Sequence, residues 1–166
     1  MPPSAPLVDN VLQGLYRDRI VELNRLVVNE GLGRNILSYF VSQSLKLLPE
    51  PMCIISFADP NNGHHGYIYQ ATNWIYTGVG SETPNFYLES GKQIHSKWVK
   101  KYKDEGHKID SVYQEAKHRY IYFIGDKTVK KEMLDNLKYK IQPYPKGDNK
   151  RYDASYQPEV QQTLFV

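Results

Sequence analysis

Residues 52–58 read Met-Cys-Ile-Ile-Ser-Phe-Ala, an almost unbroken apolar run that closes on Asp59. The run is short for a helix, and it lacks the alternation of a strand with one wet face. It therefore reads as a strand buried on both sides of a sheet. Just before it, Arg34–Leu48 places Ile36, Leu37, Phe40, Val41, Leu45 and Leu48 at helical spacing, and Pro-Glu-Pro at 49–51 stops the helix. Before that, Arg19–Val28 (RIVELNRLVV) alternates well enough for a strand, and Asn29–Asn35 (NEGLGRN) is a glycine-bearing turn. Strand, turn, helix and strand make a βαβ unit, so the expected class is α/β with a mixed sheet.

A chain of 166 residues, 40% hydrophobic and 23% charged, suits one soluble globular domain with a core of its own. No apolar run approaches the roughly 20 residues of a membrane span, and residues 1–10 do not have the pattern of a secretory signal. The single cysteine, Cys53, has no intrachain partner and lies within the apolar run, which fits a reducing compartment and a packing role.

Further along, Tyr67–Trp74 reads as a helical turn and Trp74–Gly80 as a strand. From about 79 to 117 the pattern is poor, with one helix expected around Gly91–Gly106. His118–Gly125 is a strand of alternating aromatic and apolar residues. Asp126–Lys138 is a helix with Asp126 as N-cap and Val129, Met133 and Leu137 on one face. A short strand and a loop are expected after Tyr139. Residues 1–15 read as an extended arm, 16–145 as the domain and 146–166 as a loose tail.

Charge divides the chain. Residues 1–90 hold 5 Lys and Arg against 8 Asp and Glu, whereas 91–151 hold 16 against 8. The basic half suits a polyanion such as nucleic acid, with Lys100, Lys101, Lys103, Arg119, Lys130 and Lys131 as candidate phosphate contacts. A solvated lysine-rich surface has the same composition.

A glycine turn between strand and helix can aim backbone N–H groups at an anion, although tight turns need glycine in any case. Asp59 lies at the C-terminal end of a buried strand, where α/β proteins place ligands. Partial burial would raise its pKa toward that of a general base. Equally, Asp59-Pro60 is a common way to start a turn. His64 and His65 are adjacent and cannot face one site from a regular element, and a metal needs a third ligand. Tyr69 follows Asp59 by ten residues; if the chain folds back there, its phenol returns toward the strand end as a proton donor. Ser44 projects from the long helix, where serine is more often back-bonded or solvated.

In this order, the pieces resemble the central part of the GCN5-related N-acetyltransferase fold. The segments LNRLVV, SFADPNNGHHGYIYQATNWIYTG and HRYIYFIG are similar, more specifically, to the phage Mom family over roughly residues 16–145. The resemblance implies transfer of a methylcarbamoyl group to N6 of adenine in duplex DNA, in the cytoplasm of a host cell, blocking host restriction enzymes. It places Asp59, Tyr69 and, less closely, Ser44 at catalytic positions, with Asp59 and Tyr69 facing one cavity. The turn Gly31, Leu32, Gly33, Arg34, Asn35 corresponds to the cofactor cradle, although it lacks the usual arginine or glutamine before a tighter glycine pattern. An acyl-CoA or another methylcarbamoyl donor is implied, together with iron, for which His64, His65 and Asp59 are the candidate ligands.

The acyltransferase fold places about 60 residues before the strand read at 19–28, and fewer than 20 stand there here. The implied sheet is therefore minimal, or is completed by a second chain or a second copy. A generic acyl-CoA-dependent N-acetyltransferase, and a non-catalytic DNA-binding subunit with part of the fold, are the alternative readings.

Overall fold

The computed structural model describes residues 3–29, 33 and 35–146. At its centre is β2 (Met52–Ala58), whose every side chain but one is buried. Its partners are β1 (Ile20–Glu22) on one side, parallel, and β7 (His118–Ile124) on the other, antiparallel along seven residue pairs from Met52↔Ile124 to Ala58↔His118. β3 (Ile75–Val79) pairs antiparallel with the far side of β7, so the order is β1-β2-β7-β3. The mixed sheet and the α/β class expected from sequence are both present.

Alternation along β2 sorts the core into two layers. Met52, Ile54 and Ala58 pack with Val41 and Leu45 of α2 (Ile36–Lys46), Tyr69 of α3 (Tyr67–Ala71), Trp74, Tyr76 and Tyr120. On the opposite face, Cys53 and Ile55 pack with Val11 and Leu12, Ile121, Phe123 and Met133 of α5 (Lys127–Asp135). Each fully buried isoleucine contributes about 2 kcal/mol by removal from water. Asp126 caps α5 as expected, its Oδ1 accepting the Val129 N–H at 2.8 Å.

Several expectations are corrected. The arm of residues 1–15 carries a helix, α1 (Ala5–Val11), which starts with a proline in its first turn and closes the second layer with Val11 and Leu12. The first strand spans only Ile20–Glu22 rather than 19–28, because the chain turns toward α2 and packs Leu23 and Leu26 on the first layer. Among the described residues no strand forms after Tyr139. Instead the Gln142 N–H donates to the Tyr76 carbonyl at 2.9 Å and the Tyr144 hydroxyl to the Trp74 carbonyl at 2.6 Å, occupying the free edge of β3. Of the tail expected at 146–166, all but Lys146 lies outside the described residues.

The poorly patterned stretch 79–117 is a separate small sheet, β5-β4-β6, formed by β4 (Thr83–Leu88), β5 (Gln93–Ile94) and β6 (Ile109–Gln114). The single long helix expected around 91–106 is a turn of 3-10 helix at Ser96–Trp98 followed by α4 (Val99–Asp104). This excursion leaves and re-enters the main sheet at one point, where the Gly80 N–H donates to the Lys117 carbonyl at 2.9 Å.

Candidate active site

The parallel pair β1 and β2 holds register for three residues, Ile20↔Cys53 to Glu22↔Ile55, and the Leu23 N–H still reaches the Ile55 carbonyl at 2.9 Å. Beyond that point β2 runs on to Ala58 while the other chain bends away toward α2, so a gap opens inside the sheet. The Ser56 hydroxyl spans its start, donating to the Leu23 carbonyl at 2.7 Å. Next to the gap lies a cavity of about 390 Å³, lined by Val21, Leu23 and Leu26 on one side and Phe40, Val41 and Ser44 of α2 on the other, with Glu22 and Arg25 as its charged groups. The cavity also explains why α2 buries only Val41 and Leu45 fully, while Phe40 remains half exposed.

Ser44 thus faces this cavity, as one of its few polar side chains. Tyr69 lies on the same side of β2. Its ring packs between Trp74 and Tyr120, each with centroids 5.0 Å away, and its hydroxyl is 2.6 Å from Ser56 Oγ. Ser56 has one proton, which goes to Leu23, so the Tyr69 O–H is the donor to Ser56. Burial pushes the Tyr69 phenol up, with the Ser56 contact acting against it, so it is protonated at neutral pH.

Asp59 lies one residue past β2, and strand alternation carries it to the side of Phe57, away from Tyr69. One carboxylate oxygen accepts the Asn61 backbone N–H at 3.0 Å and the Asn61 side-chain amide at 2.9 Å, and the other pairs with Lys117 Nζ at 3.0 Å. The hydrogen bonds from Asn61, with Lys117 adding to them, hold the carboxyl below its usual range. This corrects the expectation of a raised pKa. The shared cavity expected for Asp59 and Tyr69 is replaced by two separate hydrogen-bonded sets on opposite faces of one strand. Glu22, at the mouth of the gap, shifts the other way, pushed up by burial.

A second polar cluster forms where β7 begins. The Tyr76 hydroxyl and His118 Nδ1 are 2.8 Å apart, His118 Nε2 and His65 Nδ1 are 3.5 Å apart, and the Tyr120 hydroxyl donates to the His65 carbonyl at 2.5 Å. Burial, and secondarily His65, lower the His118 pKa. The register Ala58↔His118 brings this cluster to the end of β2, which no spacing in the sequence signals. Ser56, Glu22, His118 and Tyr76 are the residues that motif reading passes over.

The family model described as the Mom protein family matches residues 2–146. The chain belongs to the Mom protein family. It is 31% identical to "Methylcarbamoylase mom" of Escherichia phage Mu over 141 residues, which cover 76% of this chain and 56% of that protein. The chain thus spans about half the length of the curated relative it matches.

Other Mom-family expectations meet the structure unevenly. Of the turn read as a cofactor cradle, Gly33 and Asn35 are described, Asn35 leading directly into α2, while Gly31, Leu32 and Arg34 lie outside the described residues. Among the described residues no three His, Cys, Asp or Glu side chains converge on a metal position. His64, His65 and Asp59 therefore do not fit an iron site. Burial pushes the Cys53 thiol up to about 12, consistent with packing.

The candidate phosphate contacts divide into three groups. Lys100, Lys101 and Lys103 are exposed on α4, and Lys130 and Lys131 on α5. Arg119 is half-buried on β7, where it donates to the Thr77 hydroxyl at 2.9 Å and the Thr77 carbonyl at 3.1 Å and stacks on Tyr139 at 3.5 Å. Its guanidinium ties β7 to β3, which takes it out of the set free to meet phosphate. No described helix is long and apolar enough to cross a membrane.

Proposed function

We propose that this chain modifies DNA by transferring an acyl-type group, a methylcarbamoyl in keeping with the name of its phage Mu relative, to the N6 amine of adenine, and so shields the DNA from restriction. The observation that carries the reading is the gap between β1 and β2, flanked by a cavity on one face and a fixed carboxylate on the other. A parallel pair of strands that part is also the feature expected of a GCN5-related acyltransferase frame, and it supports the reading.

In this reading the reacting groups meet across the gap. A donor seated in the apolar cavity, past Ser44, presents its carbonyl from the α2 side, and the amine enters from the side of Asp59. Asp59 and Tyr69 then act on one bond from opposite sides. The amine lone pair is delocalised into the purine ring, so its proton must leave as the new C–N bond forms. Nitrogen attacking a carbonyl becomes strongly acidic, and an ionised carboxylate of low pKa is basic enough to accept its proton. Tyr69 is kept protonated by burial, and supplying its proton to the departing group requires the O–H to turn from Ser56 Oγ toward the gap. The amine of a paired adenine lies in the major groove, and a site recessed in the sheet is reached by the base swinging out of the helix.

Co-expression with a plasmid, followed by mass spectrometry of its nucleosides, tests the reading. A deoxyadenosine of increased mass that disappears with Asp59→Ala is the expected result. Unmodified DNA from cells making the folded wild-type chain would overturn it. That outcome, with DNA binding retained, would favour a non-catalytic DNA-binding subunit, whereas binding of acetyl-CoA with no modified nucleoside would favour a generic N-acetyltransferase.

A further inference from the structure

The excursion between β3 and β7 has no role in the chemistry above, yet it carries an exposed tryptophan, Trp98, with 46% of its surface open to solvent. Several aromatic rings of this chain are as exposed, Tyr39 and Tyr113 among them, but Trp98 is the one overlain by two lysine ammonium groups among the described residues. Trp98 ends the 3-10 turn Ser96–Trp98 that leads into α4. The turn is fixed from behind, since His95 Nδ1 accepts the Lys97 N–H at 3.2 Å and the His95 carbonyl accepts the Trp98 N–H at 2.8 Å. Lys97 Nζ lies 5.2 Å and Lys101 Nζ 5.6 Å from the centre of the Trp98 ring, and Lys100 and Lys103 are exposed on the same short helix.

We propose that this face docks the DNA, Trp98 stacking on a base left unpaired beside the modified adenine while the lysines near it meet the phosphates. The proposal deepens the functional reading and rests on DNA as the substrate. Two ammonium groups over one flat ring, with two more exposed on the same short helix, make a surface for a polyanion that also offers flat faces, which describes a nucleic acid better than a lipid surface or an acidic peptide. Ammonium groups 5–6 Å over an aromatic ring are held loosely. They can move to phosphates and leave the ring face to a base. The Lys101–Glu105 pair, at 3.8 Å and exposed, exchanges as readily. The excursion that carries this face joins the main sheet beside Lys117, which pairs with Asp59.

The chain has two tryptophans, and Trp74 is fully buried. Emission that acrylamide can quench therefore reports on Trp98. Titration with an adenine-containing duplex should suppress that emission saturably. Trp98→Ala should weaken binding about tenfold with the slope of log K against log salt unchanged, and Trp98→Phe should restore most of it. Replacing Lys100, Lys101 and Lys103 by alanine should instead reduce the slope by about 0.9 for each phosphate left without its ammonium partner. Unchanged emission at saturating DNA, or wild-type affinity in a folded Trp98→Ala variant, would overturn the proposal. If modified nucleosides still formed in that case, the enzymatic reading would stand without it. Quenching by DNA with no modified nucleoside would support the docking face and remove the enzymatic reading alone.

Discussion

Ser56 is fully buried and has two partners for its hydroxyl, the Leu23 carbonyl and the Tyr69 phenol. Ser56→Ala leaves both of them short of a partner in a dry site. The expected loss is about 1–3 kcal/mol of unfolding free energy, read from urea denaturation, with Tyr69→Phe costing less because it leaves the Leu23 bond intact. His118 sets a pH dependence. Its native pKa is below the ordinary value of 6.5, so above that value both folded and unfolded chains hold it neutral and it has no effect. As pH falls below 6.5 the unfolded chain takes up the proton first, and stability declines until the native pKa is passed. Melting temperatures between pH 7.5 and 5 should therefore fall less in His118→Gln than in the wild type. Neither residue was legible in the sequence. A serine in an apolar strand and a histidine at a strand start are common, and their roles come from the pairings Ser56↔Tyr120 and Ala58↔His118, which only register creates. Asp59 and Tyr69 stood out through a longer motif, but their separation to two faces follows from the parity of β2, which the ten-residue spacing conceals.

Among the elements, β2 was legible because a strand buried on both faces is apolar along its length, β7 because aromatic and apolar residues alternate in it, and α5 because its cap and stripe agree. β4, β5 and β6 were not. Their side chains are mostly half-buried or exposed, so neither alternation nor an apolar run marks them. β1 was read too long because Leu26 and Val27 look like strand residues, although Leu26 packs toward α2 and Val27 faces solvent. The excursion is self-contained. Its ends meet through the Gly80–Lys117 hydrogen bond, and its sheet shares no ladder with the main one. Replacing residues 81–116 by a two-residue Asn-Gly turn should therefore leave the main sheet folded, with unfolding free energy within about 1 kcal/mol of the wild type, since loop length enters stability only logarithmically. The same variant should no longer bind DNA in a gel-shift titration. Collapse of the main sheet on this replacement would show that the excursion supports it.

At the scale of the molecule, two helical layers enclose a sheet whose middle is built from segments far apart in sequence. β7 occupies the place between β2 and β3, with seven pairs to one and a bulged ladder to the other. It also supplies Tyr120 and Ile124 to one layer and Ile121 and Phe123 to the other. In sequence the lysine-bearing helices α4 and α5 flank β7. During synthesis, the chain emerging from the ribosome therefore carries β2 and β3 with nothing to join them. Their greasy flanks stay uncovered until residues 118–124 have cleared the exit tunnel. Closure of the main sheet thus waits on this one late strand.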